Sequence, residues 1–185
     1  MPTQPLQEYL IDRCLQHDRQ AQRELYRLYA DAMFTVCVRM LKDRAQAQDA
    51  LQEAFVDAFT KLHTFRREAS FGSWLKRIVI NRCLAELKKA KRLPLTDTEE
   101  EELAQIPERD TDEPNWDYEV RTIKATVQEL PDGARTVLNL YLFEGYSHKE
   151  IAAILNVTVS TSKAQYSKAK KRLRKLLEAK DIRIN

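Results

Sequence analysis

Three histidines (His17, His63 and His148) and three cysteines (Cys14, Cys37 and Cys83) are the residues best suited to nucleophilic or metal chemistry. The histidines are isolated, the cysteines lie far apart in sequence, and there is no Cys-x-x-Cys pair. Each cysteine falls at or near an apolar position of a helical pattern, as expected for buried, reduced thiols of a cytoplasmic protein. With only three scattered glycines, Gly72, Gly133 and Gly145, the chain cannot build a glycine-rich phosphate loop. Carboxylates crowd the stretch from Pro94 to Glu119 without evident fixed geometry, so a nuclease that uses them is a distant reading. No catalytic residue, metal or cofactor is expected. No stretch approaches the roughly 18 consecutive apolar residues of a membrane span. Met1 to Tyr9 lacks the basic segment and apolar run of a secretory signal.

The chemistry the chain does advertise is binding to a polyanion. The net charge of the 185 residues is +3, but between Pro94 and Glu119 eleven acidic residues face one basic residue, Arg109, a net of −10 that leaves +13 for the remainder. Two blocks concentrate the positive charge. Lys76, Arg77, Arg82, Lys88, Lys89, Lys91 and Arg92 form one, and Lys163, Lys168, Lys170, Lys171, Arg172, Arg174 and Lys175 the other. Basic blocks on predicted helices suit nucleic acid; the alternative is a solvated lysine-rich face. Between Phe65 and Trp74, aromatics alternate with Arg66, Arg67 and Glu68. Such a mixture suits single-stranded DNA, with bases stacking on rings and cations meeting phosphates; the alternative is that Phe65, Phe71 and Trp74 pack the core, and at least one is expected to do so.

The elements that must position these residues are all helical. No glycine or proline interrupts the chain between Pro5 and Gly72. A short helix carries Leu6, Leu10 and Cys14. A longer one starts near the N-cap Asp18 and repeats Ala21, Leu25, Leu28, Tyr29, Ala32, Val36 and Met40. A third spans Arg44 to Leu62, with Ala47, Ala50, Leu51, Ala54, Phe55, Ala58 and Leu62 inward. After a loop through Gly72, a fourth runs from Trp74 to about Arg92, with Leu75, Ile78, Val79, Cys83 (or the stem of Arg82) and Leu87 inward. Pro94, Pro107 and Pro114 punctuate the acidic stretch, which reads as a mobile linker. The domains are then 1–93 and 116–185, joined by 94–115. In the second domain, helices carry Val120, Ile123, Val127 and Leu130, then Ala134, Val137, Leu138 and Tyr141. Ser147-His148-Lys149-Glu150 has the spacing of a capping box. A short helix with Ile151, Ile154 and Leu155 ends at Asn156, a residue that tolerates left-handed backbone. Thr158 caps a last helix that repeats Ser162, Tyr166, Ala169, Leu173 and Leu176/Leu177. A short capped helix, a tight turn and a basic helix make a helix-turn-helix.

Two sets of residues resemble the extracytoplasmic-function (ECF) sigma factors. Leu130-Pro131, Arg135-Thr136-Val137-Leu138, Glu144-Gly145-Tyr146-Ser147-His148-Lys149-Glu150-Ile151-Ala152, Lys163 and Lys168-Ala169-Lys170-Lys171-Arg172-Leu173-Arg174 resemble region four, which in the family binds the minus-thirty-five promoter element. Leu25-Tyr26, Asp49-Ala50-Leu51-Gln52-Glu53-Ala54-Phe55, Phe59, Leu62, Phe65, Phe71, Trp74-Leu75, Ile78 and Asn81 resemble region two, which binds the polymerase clamp and melts the minus-ten element. The likeness covers nearly all of the chain except the linker. Ala85 stands where an acidic residue is usual, Ser162 where an aliphatic one is, and Gln165, Lys168 and Lys170 where arginine is frequent; these departures bear on base preference more than on fold.

The resemblance implies an all-α, two-domain factor that binds core RNA polymerase at its clamp and flap regions and takes it to promoter DNA, with an anti-sigma factor as a further partner. On the third predicted helix, Asp49, Gln52, Glu53 and Val56 recur at steps of three, one and three, away from the apolar face. Periodicity alone reads this stripe as solvent exposure; the resemblance makes it the clamp-binding face. Phe65, Arg66, Phe71, Trp74, Lys76, Arg77 and Asn81 lie where the family holds the minus-ten strand. On the last helix, Tyr166, Ala169 and Leu173 set the inner face, so Ser160, Thr161, Lys163, Ala164, Gln165 and Lys168 are expected outward. Lys163 suits a guanine and Gln165 an adenine, with Lys168, Lys171 and Arg172 mostly on phosphate. The second reading is a stand-alone helix-turn-helix regulator, which would usually need a dimerisation surface and a palindromic site.

Overall fold

The protein is described from a computed structural model that covers residues 6–90, 116–180 and 182. Among these residues every regular element is helical. The acidic segment 94–115 lies outside the described residues, as do Lys91 and Arg92. The chain divides into two compact units, Met1–Ala90 and Lys91–Asn185.

In the first unit, helices α1 (Leu6–Leu15), α2 (Arg19–Leu41), α3 (Arg44–Thr60) and α4 (Phe71–Lys89) follow one another, with a 3-10 turn at Leu62–Thr64 before α4. Helices α2, α3 and α4 each pack on the other two, and α1 lies on α2. Each of these three is started by a side chain that accepts an otherwise orphaned amide: Asp18 from Gln20 N and Ala21 N, Asp43 from Gln46 N, and Ser70 from Ser73 N. The cap at Ser70 places the start of α4 at Phe71, three residues before the expected Trp74. Gly72 therefore lies in the first helical turn rather than in a loop. A Cβ there would stand 3.1 Å from the ring of Tyr29, so the side-chain-free position admits close approach of α2 to α4. The buried stripe of α2 also differs from the expected one. Ala21, Leu25, Val36 and Met40 are buried as expected and Met33, Cys37 and Leu41 join them, with Tyr29 half-buried, whereas Leu28 is 55% exposed and Ala32 is exposed. From Met33 onward, steps of three and four both stay on the packed face, and Leu28 and Ala32 fall outside it. All three cysteines are free and buried. The Cys83 thiol is held above its ordinary range, first by its hydrogen bond with Cys37 and then by burial; burial likewise pushes Cys14 up to about 11.

The second unit holds α5 (Trp116–Glu129), α6 (Asp132–Leu142), α7 (His148–Leu155) and α8 (Val159–Glu178). Helix α8 packs on the other three. Val127, Leu130, Ala134, Leu138, Ala169 and Leu176 form the core, with Tyr166 and Leu173 against it. Val120, expected inward, is 45% exposed at the outer end of α5. Arg135 is fully buried: its guanidinium donates to the Leu130 carbonyl at 2.9 Å and pairs with Asp132, which ties down the turn between α5 and α6. The capping box of α7 is present in full, with Ser147 and Glu150 each accepting the other's backbone amide. Asn156 ends α7 at φ 57, in the left-handed region.

Candidate nucleic-acid and protein interfaces

Helix α3 buries Ala47, Ala50, Leu51, Ala54, Phe55 and Ala58, which turns Asp49, Gln52, Glu53 and Val56 outward together. Val56 is 66% exposed. Helix α4 contributes a cation that sequence spacing did not place here. Arg82 donates from Nε to Asp57 Oδ2 at 2.6 Å and from Nη1 to Glu53 Oε2 at 3.2 Å. The charge-assisted contact with Asp57 is partly buried and that with Glu53 is exposed; together they draw Glu53 and Asp57 to one edge of the polar face. The pairing links positions 25 and 29 residues apart, and no periodicity in the sequence reports it.

The second group lies on α4 and the segment before it. Phe71 is 1% exposed, which corrects its expected role at a DNA surface: as the first residue of α4 it points inward, against Tyr29 at 5.2 Å. Phe65 and Trp74, both half-buried, lie over it at ring separations of 5.6 Å each and stand 5.3 Å from each other. The aromatics thus form a layered cluster with Phe71 as floor and Phe65 and Trp74 as partly open upper surface. Arg66, Arg77 and Asn81 are exposed and Lys76 is half-buried. Arg77 and Asn81 are one helical turn apart and share the outer face of α4.

The third group is the helix-turn-helix α7–α8. Ser160, Lys163, Ala164, Lys168 and Lys171 are exposed, and Thr161 and Arg172 half-buried. Thr158 caps α8 through Thr161 N at 3.0 Å and shares 2.8 Å hydroxyl contacts with Ser160 and Thr161. Gln165 is only 7% exposed, a correction to the outward placement expected for it. It stands three residues after Ser162 and four before Ala169, both fully buried, and therefore on the packed line of the helix. Ser162 is occupied too, sharing a 2.9 Å hydrogen bond with Nδ1 of His148 at the start of α7. The His148 ring stacks on Tyr141 at 4.6 Å and meets Tyr166 edge-on at 5.5 Å, and Lys170 lies over Tyr166 at 4.8 Å. Burial first, and then the charge of Lys163, hold the imidazole's pKa below its ordinary value. His148 thus fastens the first helix of the motif to the second, a role no sequence motif marked. Among the described residues no group of three or more His, Cys, Asp or Glu side chains converges as metal ligands, and no helix is long and apolar enough to cross a membrane.

Comparison with known proteins agrees with both ends of this arrangement. Residues 25–93 match Sigma-70 region 2, and residues 121–173 match Sigma-70, region 4. RNA polymerase sigma-H factor of Pseudomonas aeruginosa is 32% identical, over 96% of this chain and 97% of its own length. ECF RNA polymerase sigma factor SigW of Bacillus subtilis is 31% identical, over 86% and 90%. Among solved structures, the sigma factor RpoE of Bartonella quintana, in complex with the anti-sigma factor NepR, shares the fold with a TM-score of 0.56 at 22% identity, over 84% of this chain and 96% of that one. CnrH, in complex with the cytosolic domain of CnrY, does so with a TM-score of 0.55 at 22% identity, over 94% and 98%. Both sigma regions lie in order on one chain, each on its own helical unit, and the chain belongs to the ECF-type RNA polymerase sigma factors, proteins of transcription initiation.

Proposed function

We propose that the two units divide promoter recognition between them. The α3 face of Asp49, Gln52, Glu53 and Val56 binds the clamp of core polymerase. Phe65, Arg66, Trp74, Lys76, Arg77 and Asn81 receive the non-template strand of the minus-ten element once it unstacks, with Phe71 beneath them as support. The α8 face of Ser160, Thr161, Lys163, Ala164 and Lys168 enters the major groove of the minus-thirty-five element, Lys171 and Arg172 meet phosphate further along, and the second unit also touches the polymerase flap. The domains so used are 1–93 and 116–185, joined by the acidic 94–115. The factor works in the cytoplasm, without catalysis of its own, and an anti-sigma protein is the partner that would hold it inactive, by analogy with RpoE and its anti-sigma factor.

The observation that carries this reading is the joint exposure of the α3 stripe and the basic outer line of α8 on separate units of one chain. A stand-alone regulator has use for the second face and none for the first. The test is specific promoter binding by the full chain with and without core polymerase, paired with a pull-down of the polymerase. Specific promoter binding that is as strong without polymerase as with it, and no capture of the polymerase, would favour the stand-alone regulator.

A further inference from the structure

The segment from Phe65 to Ser70 is fixed at both ends. The Phe65 amide donates to the Leu62 carbonyl at 3.0 Å, and Ser70 accepts from Ser73 N at 3.2 Å as the cap of α4. Between these anchors Arg67 takes φ 60, a left-handed backbone that is costly for a side chain longer than glycine. Its guanidinium forms an ion pair with Asp12 of α1, 55 residues earlier in the chain. Asp12 follows Ile11 and precedes Cys14 by two positions; Ile11 and Cys14 are buried, so the docking of α1 sets where this carboxylate points. Gln7, Glu8 and Ile11 of α1 also close one side of a cavity of about 110 Å³ whose other walls include Phe65, Ala69 and Phe71. Helix α1 ends at Leu15, before residue 25, where the match to region 2 begins.

We infer that Asp12 is a positioning residue for strand separation: through Arg67 it holds residues 65–70 in the conformation that presents Phe65 and Arg66 to single-stranded DNA. The inference rests on the assignment of that segment to the minus-ten strand. Without Asp12, Arg67 loses the ion pair that helps offset the cost of its left-handed backbone. The free segment would then sample many arrangements, and capture of the strand would have to order it again. The pair is part-exposed, with side chains 44% and 41% accessible, so its effect is a moderate one and is read best in the DNA step.

The experiment uses holoenzyme reconstituted from the full chain and core polymerase. The probe is bubble DNA with the non-template minus-ten positions randomised; bound and free sequences are counted. Asp12→Ala and Asp12→Asn should lower retention of the preferred sequences by roughly two- to fivefold, the range of a surface ion pair, and flatten base preference at one or two positions. Core binding and thermal melting should stay as in the wild type. The exchange Asp12→Arg with Arg67→Asp should restore the profile, which a merely structural loss would not do. Phe65→Ala separates the two levels of the argument. If Phe65→Ala alters the profile while both Asp12 variants leave it intact, or if the charge exchange fails to restore it, the role of Asp12 is overturned. If Phe65→Ala itself matches wild type, the assignment of the segment to DNA falls and this inference with it.

Discussion

Phe65 and Phe71 are six positions apart in one aromatic segment, and burial separates their roles. Phe71 is 1% exposed, under Tyr29, Phe65 and Trp74, so Phe71→Ala leaves a cavity and should cost about 3–5 kcal/mol of stability. Phe65 keeps an open face; Phe65→Ala should cost less stability and instead impair melting, by about 1–3 kcal/mol for a base-stacking ring. Denaturant titration and permanganate footprints measure the two effects. Equal stability losses with unaltered footprints would place Phe65 in the core as well. That an aromatic of this segment packs inward was legible in the sequence; which one was not, because the choice depends on Ser70 starting α4 three residues earlier than the apolar pattern suggested. His148 shows the same limit. As a lone histidine it offered no chemistry to a reader of the sequence, and its partners Tyr141 and Ser162 belong to other helices. Its pKa lies below the ordinary imidazole value of about 6.5, through burial first and then the charge of Lys163. The folded unit therefore binds fewer protons than the unfolded chain. This contribution to stability is fully present above about pH 6.5 and is lost as pH falls through the folded pKa. Melting of the second unit should drop on acidification below about pH 6.5, and less so in His148→Phe. Identical pH profiles for the two proteins would show that protonation of His148 is not linked to the stability of this unit.

At the scale of the helix, the amphipathic pattern and the caps carry most of the information. Asp18, Ser147, Asn156 and Thr158 mark the helix boundaries where the sequence places them, because capping is a local exchange between a side chain and amides two or three residues away. The phase of α8 was legible at Ala169 and Leu177 and failed at Gln165, since a polar residue on a packed line is invisible to a hydrophobic count. With Gln165 inward, the proposed reading of the minus-thirty-five element falls to the exposed side chains of the first turns. Lys163→Ala should change preference at one promoter position by roughly 1–3 kcal/mol, while Lys171→Ala should weaken all sequences alike and lower the salt slope by about one. Binding to a library of minus-thirty-five variants at several salt concentrations distinguishes them; a uniform loss in both would mean that α8 meets the groove in another register. Helix α3 poses the corresponding question for polymerase. Glu53→Ala or Gln52→Ala should weaken core binding by about 2 kcal/mol or more if these side chains lie near the centre of the interface, with helicity unchanged. Because Arg82 holds Glu53, Arg82→Ala and Glu53→Ala should be non-additive in that assay. Unchanged affinity for polymerase in both the Glu53 and Gln52 variants would remove α3 from the contact.

For the molecule as a whole, charge is distributed by segment more than by residue. The stretch from Pro94 to Glu119 carries a net −10 and the rest of the chain +13, so the two basic helices proposed to meet DNA are separated along the chain by a polyanion. Counter-charge of this size, covalently attached, competes with phosphate for the same lysines and arginines at low ionic strength, and the competition weakens as salt screens it. Free factor should therefore bind duplex DNA more weakly than its second unit would alone. Replacing Glu99, Glu100, Glu101 and Glu102 by glutamine removes four of the eleven acidic charges without shortening the segment. That variant should bind promoter DNA more tightly than wild type in the absence of polymerase, with the difference largest at low salt, or else initiate less well in the holoenzyme. Gel-shift titrations of the free factor across salt concentrations, alongside single-round transcription with core polymerase, read both outcomes. If DNA affinity and initiation both match wild type at every salt concentration, the acidic run serves as a solubilising spacer and its charge has no part in promoter recognition.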